Sequence, residues 1–245
     1  MPTSAFSSKT ALIVGVGGLG CPVALVLARA GVNLVLADDD EVQSSNLHRQ
    51  ILFSKSDLGR DKLEAARDTL LRDGTSSARI QLARSRVLPD NARELIRNVD
   101  LVLEGADNFA TKFLCADAAL LEQRPIVHGA AIRFRGTAWA IHPNGAPCYR
   151  CLFEDLPPGD AAPNCASAGV MGPVAGFVGA LMADLALSIL QGNTARFNQI
   201  YTYDGKQDRL RSAPVGSRKT CGLCGPHRTI HDIHESRYLA PACIA

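Results

Sequence analysis

The sequence predicts an α/β protein with a mostly parallel sheet, helices on both faces, and an antiparallel extension toward the C-terminus. Three observations predict it. Apolar strand-like runs alternate with helical patterns over residues 11–110, which implies parallel strands joined by crossover helices. A glycine-rich loop links the first strand to the first helix. After residue 111 the alternation gives way to closely spaced strands and one long apolar helix.

The elements follow in order. "ALIV" (11–14) is a short apolar run of the buried-strand type. "PVALVLARAG" (22–31) is a helix with Gly31 placed to end it. "LVLA" (34–37) is the second strand. Residues 59–74 form a helix with apolar positions Leu63, Ala66, Leu70 and Leu71. Strands over 78–87 and 100–106 flank a short helix at 92–97. Residues 125–143 read as two or three strands with short turns, 154–173 as a Pro/Gly/Ala-rich loop, 174–190 as an apolar helix, and 197–215 as a hairpin around Asp204-Gly205. The apolar run at 174–190 is interrupted by Asp184 and is shorter than the ~20 residues of a spanning helix, so a core helix is expected and no membrane partner.

Composition narrows the function. The 245 residues carry 26 Lys+Arg against 24 Asp+Glu, a net charge of +2, and only 5% aromatics. Neither a basic block nor a base-stacking surface points to nucleic acid. The N-terminus lacks a basic segment followed by an apolar one, so no secretory signal is expected and the predicted location is cytoplasmic. Disulfides are then disfavoured, and the 8 cysteines need another role.

"GVGGLG" fits G-x-G-x-x-G with Gly15, Gly17 and Gly20 at the motif positions and Gly18 extra. It follows a strand and opens a helix, the context of a Rossmann-like nucleotide site. There, glycines admit phosphate to the backbone and the helix N-terminus supplies free N–H groups. Asp38 lies at the end of the second strand, about 20 residues on, where an acid binds ribose hydroxyls. "SSNLHRQ" then brings Arg49 and Gln50. Lys62 opens the next helix, and "GADN" brings Asp107 and Asn108. All these segments end at the carboxyl edge of the predicted sheet. Arg and Lys neutralise phosphoryl charge and Asp can hold Mg²⁺, so together they favour nucleotidyl transfer over hydride transfer.

Cys148-x-x-Cys151 and Cys221-x-x-Cys224 are two knuckles of the Cys₄ zinc type. Cys165 stands apart, in the Pro/Gly/Ala-rich loop before the helix at 174–190. It is either a reactive thiol or an unreactive cysteine near a helix N-terminus.

The motifs "GVGGLG", "DDDEVQSSNLHRQ", "GRDKLEAA", "GADN", "PCYRCL" and "NCASAGVMGP" occur in that order. This set resembles the MoeB/ThiF family, prokaryotic relatives of ubiquitin-activating enzymes, over roughly residues 9–225. The resemblance implies one adenylation domain across 1–245, with a nucleotide-binding half at 1–110 and a carrier-binding, zinc-containing half at 111–245. It implies MgATP-dependent adenylation of the C-terminal glycine of a small ubiquitin-like sulfur carrier protein. It further implies a separate sulfur donor protein and a homodimer. Carried onto this chain, Gly17 lies against the phosphates and Asp38 and Asp40 belong to the ribose side. Ser45, Asn46, Leu47, His48, Arg49 and Gln50 surround the triphosphate, Lys62 contacts phosphate, and Asp107 binds Mg²⁺ beside Asn108. The four knuckle cysteines hold zinc, and Cys165 occupies a position that in some members links covalently to the carrier. The family usually begins with a helix that supplies an arginine to the other subunit's active site, whereas "MPTSAFSSK" contains none. Two other readings stay open: an NAD-dependent oxidoreductase, which uses the glycine loop and Asp38, and a non-catalytic relative that docks a carrier.

Overall fold

A computed structural model describes residues 5–157 and 168–239. Eight strands form one sheet: β1 (Thr10–Val14), β2 (Asn33–Ala37), β3 (Ile80–Ala83), β4 (Leu101–Glu104), β5 (Ile126–Ile132), β6 (Arg135–Ile141), β7 (Gln199–Asp204) and β8 (Arg209–Pro214). Their order is β3-β2-β1-β4-β5-β6-β7-β8. The first four and β5 run parallel, and β5 through β8 pair antiparallel. The predicted architecture is therefore present, with the reversal of strand order at β1, between β2 and β4. That reversal opens the crevice in which open α/β sheets bind ligands.

Helices α1 (Gly20–Ala30), α2 (Lys62–Arg72), α3 (Ala92–Arg97), α4 (Phe109–Leu121), the single turn α5 (Tyr149–Leu152) and α6 (Gly172–Leu190) clothe the sheet. Residues of α1, α2 and α6 pack one face, around Ile13, Leu34, Leu36 and Leu103. Residues of α3 and α4, with Tyr149, pack the other, around Leu12, Val102 and Ile126. Alternate residues of β1 thus serve the two cores, as the period of a strand dictates. Helix α6 is long and apolar enough to cross a membrane, yet half of its apolar window is buried inside the protein. It lies so close to α1 that a Cβ on Gly179 would stand 2.3 Å from Pro22 Cγ. Asp184, the charge that interrupts its sequence, pairs with Arg196 at 2.7 Å.

Two expectations change. The third strand ends at Ala83 rather than running through residue 87. Asn91 ties down the segment that follows, its side chain bonding Ser85 Oγ, the Arg86 carbonyl and the Leu88 N–H. A side chain that satisfies a backbone locally replaces a ladder partner. Helix α4 has no counterpart in the sequence reading. Nine consecutive residues, Lys112 through Leu120, are buried in it, so it lacks the polar stripe that marks an amphipathic helix.

Candidate active site

The carboxyl ends of β1, β2 and β4 border a cavity of about 440 Å³. It is lined by Gly15, Gly17, Gly18, Asp38, Asp40, Asn46, Arg49, Gln50, Lys62, Asp107 and Asn108 among others. The glycine loop is as tight as its sequence suggests. Gly15 has a left-handed φ of 85°. A Cβ on Gly20 would stand 2.0 Å from the Gly15 carbonyl oxygen. Gly20 therefore lets α1 start against the loop and does not face the cavity, the packing role expected of a third glycine.

Asp38 receives the Val16 N–H at 2.7 Å and the Asp40 N–H at 2.9 Å. Burial pushes its carboxyl up, and the Lys62 ammonium works against that rise. Lys62 Nζ lies 2.7 Å from Asp40 and 3.8 Å from Asp38, with a side chain only 4% exposed. The lysine is thus held at the carboxylate end of the cavity, whereas the resemblance assigns it to phosphate. Asp40 itself is largely exposed.

The segment after β2 supplies Arg49, whose guanidinium bonds Asn46 Oδ1 at 2.5 Å and the Ser45 carbonyl at 3.3 Å. Its aliphatic stem lies along Gly18, where an added Cβ would meet Arg49 Cγ and Cδ at 3.3 Å. Gln50 is buried beside Gly17, and its Oε1 has no hydrogen-bond partner among the described residues. Three neighbours that the resemblance places around the triphosphate do not line the cavity. Leu47 packs on the core, Ser45 is exposed, and His48 is exposed with Nε2 3.4 Å from the Val170 carbonyl.

Asp107 and Asn108 follow β4 on the opposite rim. Asn108 caps α4, accepting the Thr111 N–H at 2.8 Å. Asp107 is exposed at the cavity with its carboxylate free of protein donors among the described residues. Sequence reasoning missed three groups beneath this rim. Glu104, fully buried at the end of β4, receives Lys112 Nζ at 2.8 Å, His128 Nδ1 at 2.9 Å and the Ala106 N–H at 2.6 Å. Burial raises the Glu104 carboxyl, and Lys112 and His128 more than reverse it, leaving it below the usual range. The register of β4 with β5 brings His128 to Glu104, and the packing of α4 against the sheet brings Lys112, so no local motif could reveal them.

Away from the cavity, the sulfurs of Cys148, Cys151, Cys221 and Cys224 all lie within 4.8 Å of one another. Four thiols at such spacing suit a tetrahedral zinc ion. A hydrogen bond from the Cys148 thiol draws Cys224 down to about 4 against the opposing effect of burial, whereas Cys148 is pushed up by Cys224 and by burial, and Cys151 by burial and by Cys224. Arg150, between the first two cysteines, enters the core. It makes a bidentate pair with buried Asp117 of α4, which also accepts the Tyr238 hydroxyl at 2.9 Å. Of the remaining thiols, burial pushes Cys21 up to about 12 and raises Cys115 well above its usual value. Cys165 lies outside the described residues.

The chain is 36% identical over 225 residues to "Adenylyltransferase and sulfurtransferase MOCS3" of Aedes aegypti, covering 91% of this chain and 51% of that protein. It is 39% identical over 238 residues to the Danio rerio protein of the same name, covering 94% and 51%. The chain thus spans about half the length of the curated relatives it matches. Crystal structures of E. coli MccB share the fold. One with MccA-N7isoASN has a TM-score of 0.77 at 19% identity, covering 90% of this chain and 68% of that one. One with ATP has 0.75 at 20%, covering 90% and 67%. The ThiF family model matches residues 3–224. With the strand-loop-helix, the acid after β2 and the paired cysteines all falling within that span, the chain belongs to the ThiF family.

Proposed function

We propose that the chain is an ATP- and Mg²⁺-dependent adenylyltransferase acting on the C-terminal glycine carboxylate of a small ubiquitin-like sulfur carrier protein. The observation that carries the reading is the convergence of opposite chemistries on one cavity. Backbone N–H groups and Arg49 stand on one side, and the free carboxylate of Asp107 on the other. The orphaned Gln50 Oε1 gives a polar ligand a further partner there. Hydride transfer gives Asp107 and Arg49 no task. The named adenylyltransferase relatives and the ATP complex of MccB support the same reading.

The residues then divide the work. Asp38 takes ribose hydroxyls, and Lys62, clamped beside it, favours its ionised form. The Gly17–Gly18 backbone and the N-terminus of α1 receive phosphate oxygens. Arg49 neutralises charge on the departing pyrophosphate. Asp107 offers the hard oxygen ligand that Mg²⁺ prefers, and the bound ion supplies further charge neutralisation. A carrier carboxylate oxygen forms a bond to the α-phosphorus while the bond to the bridging oxygen breaks, and that electron pair leaves with pyrophosphate. The protein's contribution is alignment and electrostatics.

On this reading Cys148, Cys151, Cys221 and Cys224 hold a structural Zn²⁺ that pins the C-terminal segment to the domain. A sulfur donor protein, or Cys165, displaces AMP, and the functional unit is a cytoplasmic homodimer. Equilibrium binding separates this reading from its rival. ATP with Mg²⁺ should bind and NAD should not compete, while tight NAD binding without ATP binding would reverse the assignment.

A further inference from the structure

Glu104 is fully buried at the end of β4. A fully desolvated carboxylate with an ammonium partner is commonly no better for stability than well-packed apolar side chains. Its geometry does something an apolar residue cannot. One oxygen, Oε2, is held by Lys112 Nζ at 2.8 Å and His128 Nδ1 at 2.9 Å. Lys112 is fixed in turn by the Gly129 carbonyl at 2.7 Å. The other oxygen, Oε1, takes the N–H of Ala106 at 2.6 Å, and Ala106 is the residue before Asp107. Across the loop, a Cβ added to Gly15 would stand 3.4 Å from Ala106 N and the Gly105 carbonyl carbon, and one added to Gly105 would stand 3.2 Å from Leu19 Cβ. The Gly105–Ala106 segment is therefore wedged between the glycine loop and a carboxylate anchored on β5 and α4.

We propose that Glu104 is a positioning residue, anchored by Lys112 and His128, that fixes the Ala106 amide and thereby aims the Asp107 carboxylate at the nucleotide-bound metal. The inference rests on the metal-binding role given to Asp107 above. Partners that orient a ligating carboxylate typically change metal affinity 10–100-fold when removed.

The test is equilibrium binding of ATP as a function of Mg²⁺ concentration, measured on the full chain without a carrier. In Glu104→Gln the half-saturating Mg²⁺ concentration should rise at least about tenfold, with metal-free ATP affinity within about twofold of the parent. A merely structural role would lower both together. Glu104→Gln also strands the Lys112 ammonium, so the uncharged pair Glu104→Gln/Lys112→Met is measured beside it. That pair should regain thermal stability while its Mg²⁺ dependence stays weak. Parent-like Mg²⁺ dependence in either folded variant overturns the proposal. Asp107→Ala is run in parallel. If it loses Mg²⁺ dependence and Glu104→Gln does not, only this inference fails. If Asp107→Ala keeps the parental dependence, the reading of Asp107 fails and this inference with it.

Discussion

Asp117→Asn removes one charge from the buried contact that ties the cysteine knuckle to the core. The Asp117 side chain is fully buried, and that of Arg150 is 5% exposed. The carboxylate accepts contacts of 2.9, 3.1 and 2.9 Å from the guanidinium and 2.9 Å from the Tyr238 hydroxyl. An asparagine keeps one acceptor and turns an NH₂ toward those donors. Breaking one side of a buried pair costs about 3–5 kcal/mol. Three features keep Arg150 from being wholly stranded: the Glu154 carbonyl at 3.3 Å, a weak contact with exposed Asp155 at 3.4 Å, and the ring of Phe113 4.8 Å below the guanidinium. The expected loss is therefore about 4 kcal/mol, the middle of that range. At roughly 2–4 °C per kcal/mol for a chain of this size, the thermal midpoint of the freshly purified protein should drop by about 8–16 °C. The double variant Asp117→Leu/Arg150→Met, which leaves no unpaired charge, should recover most of that loss. Urea unfolding gives the free energies. A cost below about 1 kcal/mol for Asp117→Asn would mean that the buried charge is not paired as described.

Freshly purified, reduced protein should carry one zinc per chain by elemental analysis, and Cys148→Ser should lose it; zinc-free native protein would refute the Cys₄ assignment. Burial lowers the pKa of His128, with Glu104 only partly opposing it. The unfolded chain therefore binds a proton near pH 6.5 that the native state resists. The stabilisation is complete above pH 6.5 and is lost below it, with a slope approaching about 1.4 kcal/mol per pH unit. Urea midpoints between pH 8 and 5.5 should fall less steeply in His128→Gln, and equal slopes would contradict this. Cys165→Ser should leave pyrophosphate exchange intact and abolish any carrier-linked species seen by intact-mass spectrometry. An adduct that persists in the variant would exclude Cys165 as the nucleophile.

The legible parts of the molecule were those whose physics is local. β1, the glycine loop and α1 announce themselves in the 21 consecutive residues 10–30, because a buried strand, a tight turn and a helix start each need particular side chains. The cysteine knuckles are legible for the same reason, since two-residue spacing fixes a pair of ligands. Helix α4 was invisible because burial of Lys112 through Leu120 erases the polar stripe that would reveal it. The Glu104–Lys112–His128 cluster and the Arg150–Asp117–Tyr238 cluster were invisible because strand order and tertiary packing create them. Lys62 was legible as a site residue but not in its partner. Its Nζ sits on Asp40, a contact that depends on how α2 returns over the end of β2.

On the proposed reading this cavity activates a carboxylate with ATP. The direct measurement is exchange of labelled pyrophosphate into ATP, with a panel of small ubiquitin-like carriers ending in a free glycine. Exchange should appear only with Mg²⁺ and a cognate carrier, vanish when that glycine is amidated, and fall at least about 100-fold in Asp107→Ala, whose lost metal-binding charge is worth several kcal/mol. Carrier-dependent exchange at parental rates in folded Asp107→Ala, or exchange that persists with the amidated carrier, would contradict carboxylate adenylation at this cavity.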